Sequence, residues 1–322
     1  MITTVVGSFP VNISHPNNIK DKILNTFGKF DPYNNMIEDL IEFQFNLGID
    51  IVSEGQTRDD MVALFVKNIP GFRYENNTSF IKGKIQAPNN GITINDVKLA
   101  QSKLNNLIKE SDLTKDEAKN KGVKGIITGP STIIHSSRLE SFYKDKNNAI
   151  IDYANAIKKE VNALDKLKLK YIQIDEPFLS TGMVDLKTAK QAIDIITKGV
   201  KTPVAIHVCG DISNVFKDLT QFNVDILDLE FAGNNTNIKV LEENKLLIKD
   251  KKIGFGCINS ASKNLDSKEK VLNLIEKGMD IVGSENLILD PDCGLSKLPF
   301  DMVNEKLTLM CDLNKQLSLG EY

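Results

Sequence analysis

The 322-residue sequence contains no tryptophan, only four cysteines and only three histidines. The cysteines, Cys209, Cys257, Cys293 and Cys311, are too sparse for a disulfide framework, and no two are spaced as Cys-x-x-Cys. A stapled, secreted scaffold is therefore excluded. A surplus of either charge is lacking as well: 40 basic against 43 acidic residues leave a formal net charge of −3, which offers no bulk attraction to nucleic acid or to an anionic membrane. No apolar run approaches the ~20 residues of a membrane-spanning helix, and Met1-Ile2-Thr3-Thr4 brings no basic segment ahead of an apolar one. A cytoplasmic protein with neither nucleic acid nor membrane as partner is expected. Gly-x-Gly-x-x-Gly, the phosphate-binding lysine loop and the Gly-x-Ser-x-Gly elbow are all missing, and Gly254-Phe255-Gly256 is too short a signal for a dinucleotide. The missing tryptophan, beside abundant lysine, asparagine and isoleucine, matches an AT-rich coding sequence and points to no function.

What is present is an ordinary globular composition, 41% hydrophobic and 26% charged, in a chain long enough for one large core. Short apolar runs alternate with longer amphipathic stretches, the pattern of a parallel sheet with crossover helices. Eight runs read as strands: residues 3–6, 50–53, 124–128, 171–174, 204–207, 225–229, 252–255 and 286–289. Helical periodicity covers 36–47, 148–167, 187–199, 212–221, 237–246, 267–278 and 301–317. Eight β/α units predict an α/β fold, a (β/α)8 TIM barrel, typically ~250 residues plus insertions. The extra length falls at about 66–120, after the second strand, where Asn89-Asn90-Gly91 between two apolar runs suggests a hairpin and 96–108 an added helix. No linker or low-complexity segment divides the chain, so residues 1–322 are expected to form a single catalytic domain.

In such a barrel, catalytic groups sit where strands end. The fifth run ends in His207-Val208-Cys209, and residues two apart on a strand share a face, so His207 and Cys209 can hold one ion. Glu230 and Cys293 end the sixth and eighth runs at the same rim. One imidazole, two thiols and a carboxylate form a donor set that suits zinc rather than magnesium or calcium. Two thiolates and a carboxylate against Zn²⁺ leave a formal charge of about −1, better suited to holding a thiolate than to making hydroxide. The plain alternative is that these cysteines are small core residues, the reading adopted for Cys257 and Cys311. Asp175, closing the fourth run, can accept from a substrate ammonium, act as a general base or cap the next turn. Gly7-Ser8 can bind a carboxylate through backbone N–H groups and a hydroxyl. Arg58 with Asp59 or Asp60 reads equally as a solvated cluster. His135, beyond the third strand, is a candidate to face the site, and His15 is expected at the surface.

Together, Thr4-Val5-Val6-Gly7-Ser8-Phe9-Pro10, Arg58-Asp59-Asp60-Met61-Val62, Asp175-Glu176-Pro177, His207-Val208-Cys209, Glu230 and Pro291-Asp292-Cys293-Gly294-Leu295 resemble, in order, the catalytic barrel of the cobalamin-independent methionine synthases. The chain looks like the short, single-barrel form found in archaea and some bacteria. The resemblance implies one Zn²⁺ per chain on His207, Cys209, Glu230 and Cys293. It also implies a homocysteine whose carboxylate meets Gly7-Ser8 and whose ammonium meets Asp175, with methionine as product. Where the long enzymes carry a glutamate for the amino group, this loop reads Gly55-Gln56-Thr57, leaving Gln56 or Glu54 for the contact. Where they place a histidine that protonates the folate leaving group, this chain has Gly256-Cys257-Ile258-Asn259-Ser260, so Asn259 is at most a donor-side residue. Methylcobalamin or a methyl-corrinoid protein is thus expected as donor rather than methyltetrahydrofolate. The runner-up is a methylcobamide:coenzyme M methyltransferase, which His207-Val208-Cys209-Gly210-Asp211 also resembles. A non-catalytic, zinc-stabilised corrinoid-binding scaffold is the third reading, and it predicts a closed site.

Overall fold

The computed structural model describes residues 1–13, 15–16, 19–248 and 250–320, with Lys20 described for its backbone only. Eight strands carry the architecture: β1 (Ile2–Thr3), β2 (Ile51–Val52), β3 (Gly125–Thr128), β4 (Ile172–Asp175), β5 (Val204–Val208), β6 (Ile226–Glu230), β7 (Lys252–Ile258) and β8 (Leu287–Pro291). Each falls at or within two residues of an expected apolar run. Seven of them form one parallel sheet in the order β1-β8-β7-β6-β5-β4-β3. β2 lies outside it, pairing in parallel with Gly122–Val123, and a single parallel bridge from Thr4 to Ile51 joins it to the end of β1. The third strand is thus split at Lys124: Gly122–Val123 face β2, while Gly125–Thr128 pair with β4. The fold is α/β, with a curved parallel sheet.

The two faces of the sheet are filled differently. Ile172, Ile174, Ile206, Val208, Leu227 and Leu229 belong to the large core shared with the surrounding helices. Alternate residues turn the other way, and Ile51, Tyr171, Ala205, Ile226 and Ile288 form a separate small apolar cluster with Ile2 packed against it. That cluster is the floor of the inner face, beneath the strand ends.

Helices begin where short polar side chains satisfy free N–H groups. Asp31 caps Pro32–Asn46, whose first residue is proline; Asp145 caps Lys146–Leu164, and Asp185 caps Leu186–Thr197. Three further expected helices appear as Thr236–Glu243, Lys268–Val282 and Phe300–Leu319, whereas the one expected over 212–221 shortens to the single turn Phe216–Leu219. Among the described residues no helix is long and apolar enough to cross a membrane.

The insertion corrects one expectation. The hairpin pairs Phe72–Glu75 with Thr78–Ile81 across Asn76-Asn77, not across Asn89-Asn90-Gly91. Both turn asparagines have positive φ, 48° and 56°, as a tight two-residue hairpin turn demands. Asn89-Asn90-Gly91 instead leads into the added helix, Ile94–Glu110. There the buried Glu160 carboxylate accepts from the N–H groups of Ile92 and Thr93 at 2.7–3.0 Å, which fixes the segment as a helix entry.

Candidate metal centre

β5 and the segment after β8 bring His207, Cys209 and Cys293 together, with one ligand atom from each lying within 4.8 Å of the other two. His207 is buried, and its Nδ1 donates to Asp228 Oδ1 at 3.1 Å, across the rung that pairs β5 with β6. That bond fixes the tautomer, leaving Nε2 free of any hydrogen bond among the described residues and beside the two sulfurs. A carboxylate on one imidazole nitrogen, with the other nitrogen bare, is the outer-shell arrangement of metal-ligating histidines. An orphaned buried nitrogen and two adjacent thiols fit a zinc ion.

The ionisation of the group supports the same use. A hydrogen bond from Cys209, together with His207, lowers the Cys293 pKa to about 4, while Cys209 is pushed well up by Cys293 and by burial. The two thiols thus share a proton that a bound cation would displace. Burial opposes charge on His207, but Asp228 outweighs it and holds the ring's pKa well above its usual range, so that a cation at Nε2 would take the place of a proton there. Burial also opposes charge on Asp228, yet His207 and Lys124 keep its pKa low. Asp290 behaves in the opposite way: burial and the neighbouring Asp228 charge push its pKa far up. Neither of its oxygens meets an N–H donor among the described residues. Gly254 makes room for this cluster, since a Cβ there would lie 2.8 Å from the Asp228 backbone.

Glu230 lies outside the three-residue group. Its Oε2 accepts the N–H of Gly210 at 2.7 Å, one residue beyond Cys209, which holds the carboxylate at the rim of the site. Asp292, between Glu230 and Cys293, accepts from Phe231, Ala232 and Gly233 at 2.6–3.0 Å and so ties the loop after β6 to the end of β8.

A cavity of about 860 Å³ opens over the group and is lined by His207, Cys209, Cys293, Ser8, Gln56 and Asp175, among others. Gln56 Nε2 lies 3.5 Å from Asp175 Oδ2, and the Gln56 backbone adopts φ +46°. Burial raises the Asp175 pKa to about 6. Ser8 meets the last strand's loop so closely that a Cβ on Gly294 would sit 2.0 Å from Ser8 Oγ. Gly7 is fitted against Ile126 and Gln56. Glu54 is buried away from the lining, and burial raises its pKa to about 7. His135 also lies off the lining, its ring 5.8 Å from that of Phe178. Asn259 spends its side-chain oxygen on the N–H groups of Ala261 and Ser262. His15 is exposed, and Cys257 and Cys311 are buried apart from the group.

Arg58 does not pair with its neighbours in sequence. Its guanidinium grips Asp96 of the inserted helix at 2.6 and 2.7 Å and reaches Asp31 at 2.8 Å. Asp59 binds Lys67, and Asp60 caps Met61–Val66. The insertion therefore anchors the loop that presents Gln56 to the cavity. Strand ends alone do not reveal Asp228, Lys124 or Gln173: Lys124 and Gln173 lie one layer deeper, whereas Asp228 lies level with His207 and is hidden as its partner. The alternation Tyr171-Ile172-Gln173-Ile174-Asp175 carries the signal for Gln173, since every second residue shares the face of Asp175.

Residues 1–316 match the family described as cobalamin-independent synthase, catalytic domain. The chain belongs to the cobalamin-independent methionine synthase family. It is an enzyme of that family, a methyltransferase. A methionine synthase of Methanothermobacter thermautotrophicus is 47% identical over 312 residues, covering 96% of this chain and 98% of the relative. One from Methanocaldococcus jannaschii is 41% identical over 333 residues, covering 99% and 100%. Both coverages mark the short form of the family. A B12-independent methionine synthase from a Shewanella species, solved with selenomethionine, has the same fold, with TM-score 0.79 at 20% identity over 99% and 98% of the two chains.

Proposed function

We propose that this enzyme makes methionine by moving a methyl group onto the sulfur of homocysteine at a zinc site of His207, Cys209 and Cys293, with Glu230 as the fourth protein ligand. The observation that carries the reading is the bare, buried Nε2 of His207 beside two thiols at the floor of an open cavity. Zinc, when bound, would keep the acceptor thiol ionised at neutral pH. The protein's own groups do the rest. Asp175 receives the ammonium, with Gln56 beside it in place of the glutamate of the long enzymes, and Gly7-Ser8 receive the carboxylate. Glu54 would act on this contact only through the loop it shares with Gln56. Holding both ends of the amino acid aims its sulfur at the incoming methyl group, a contribution through orientation. The bridge from Thr4 to Ile51 and the split at Lys124 support closure of all eight strands into one (β/α)8 barrel, a single catalytic domain over residues 1–322 in the cytoplasm.

For the donor we favour methylcobalamin or a methyl-corrinoid protein. Asn259 is committed to its own turn and His135 lies off the cavity, so neither is poised to protonate a folate leaving group, whereas a departing cob(I)alamin needs no proton. A coenzyme M-type acceptor remains the second reading, because Lys263 and Lys297 line the cavity and a sulfonate needs such cations. The scaffold reading predicts a closed site, and a cavity of this size argues against it. The test crosses homocysteine and coenzyme M with methylcobalamin and methyltetrahydrofolate on the zinc-loaded enzyme. Methionine from homocysteine and methylcobalamin is expected. Turnover of coenzyme M alone refutes the acceptor, and turnover with folate refutes the donor.

A further inference from the structure

We propose that Lys124 and Gln173 are a positioning pair that sets the orientation of Asp175, and through it the preference of the site for a thiol that carries an ammonium group. The inference rests on the reading of Asp175 given above and adds two residues that lie beneath the cavity rather than in it.

Lys124 is fully buried at the break in the third strand, and its three N–H donors are all directed. One goes to the Val5 carbonyl, one to the Tyr171 hydroxyl at 3.2 Å and one to Gln173 Oε1 at 2.6 Å. An ammonium only donates, so the Gln173 amide must turn its oxygen toward Lys124. Its nitrogen then faces the opposite side, where Nε2 donates to the Val6 carbonyl at 2.8 Å and to Asp175 Oδ1 at 2.7 Å. The reversed amide would set donor against donor at Lys124 and acceptor against acceptor at both Val6 and Asp175. Only one orientation is allowed. Asp175 consequently spends Oδ1 on Gln173 and keeps Oδ2 toward Gln56 and the cavity. A carboxylate pinned by one oxygen presents the other at a fixed point, which gives selectivity for a donor placed there. The same anchor, by reaching the Val5 and Val6 carbonyls, holds the strand that leads into Gly7-Ser8.

The test measures equilibrium binding of homocysteine and of 4-mercaptobutyrate, the same thiol without its amino group, to the zinc-loaded protein, with zinc content and melting temperature recorded for each variant. The unaltered protein is expected to prefer homocysteine by at least about tenfold, the worth of a charge-assisted hydrogen bond. Asp175→Asn should erase most of that preference. Gln173→Glu keeps the side-chain volume and the Lys124 contact but turns an oxygen toward Asp175, and it should reduce the preference about tenfold while leaving 4-mercaptobutyrate binding and zinc content unchanged. Lys124→Met, which removes the donor that pins Gln173 Oε1 and with it the fixed position of the amide, should reduce it in the same direction. If Asp175→Asn removes the preference and Gln173→Glu does not, the positioning role is wrong and the reading of Asp175 stands. If Gln173→Glu and Lys124→Met weaken both ligands equally, the pair is merely structural and the proposal fails. If Asp175→Asn leaves the preference intact, the reading of Asp175 itself is wrong and the proposal falls with it.

Discussion

The outer and inner faces of the same strands obey different rules. Outward, β4, β5 and β6 present Ile172, Ile174, Ile206, Val208, Leu227 and Leu229, all buried against helices. Inward, the same strands present Gln173, Asp175, His207 and Asp228, equally buried but polar. The outer face gains from removing apolar area from water, and any aliphatic residue of similar volume serves there. The inner face incurs desolvation and recovers it only through specific partners: His207 on Asp228, Lys124 on Gln173, Gln173 on Asp175. Replacement on one face should cost stability and on the other function, and that contrast can be broken or sharpened by measurement.

The largest effect is expected from Cys293→Ser, which should lose zinc and methyl transfer together while the chain stays folded. Retention of both, by metal analysis and product assay, would remove Cys293 from the site. Next is Asp228→Asn, which leaves the His207 ring without its anionic partner. Zinc affinity by competition with a chelator should fall about 10–100-fold, and an unchanged affinity would reduce the pair to a packing contact.

The third expectation concerns pH. Burial raises the Asp175 pKa to about 6, so its carboxylate is charged above that pH and progressively neutral below it. The KM for homocysteine, divided by that for 4-mercaptobutyrate to cancel thiol and metal titration, should be flat above pH ~6 and rise about tenfold per unit below it. In Asp175→Asn the ratio should not vary with pH. The smallest effect belongs to the outer face: Ile206→Val should lower stability by ~0.5–1.5 kcal/mol in denaturant unfolding and leave zinc affinity alone. A shift in metal binding from this variant would show that the two faces are coupled.

The same contrast explains what the sequence reveals. All eight strands are legible because their residues are apolar and helical stretches alternate with them, and His207, Cys209 and Cys293 stand out as polar groups at strand ends. Lys124 gives no warning, since a lysine beside a strand is ordinarily exposed and only the packing of Val5, Tyr171 and Gln173 around it encloses it. The partners of Arg58 are equally hidden. Asp31 and Asp96 are distant in sequence, and the adjacent Asp59 and Asp60 are the local alternatives a reader of the chain would choose. The hairpin's position is ambiguous in the sequence because Asn89-Asn90-Gly91 and Asn76-Asn77 are both turn-forming, and it takes Glu160, from a helix far along the chain, to claim the former as a helix entry.

The pairing of Ile2 with Ile288, and of Thr3 with Leu289, places the first and last strands of the sheet side by side. During synthesis, then, the amino-terminal strand has no neighbour on that side until Leu287–Pro291 has emerged, and Cys293 reaches His207 and Cys209 later still. If zinc is held as proposed, its capture would follow the long-range pairing of β1 with β8. A nascent chain interrupted before residue 287 would lack both the pairing of β1 with β8 and the second sulfur of the proposed site, so that metal binding there would wait on assembly of the sheet.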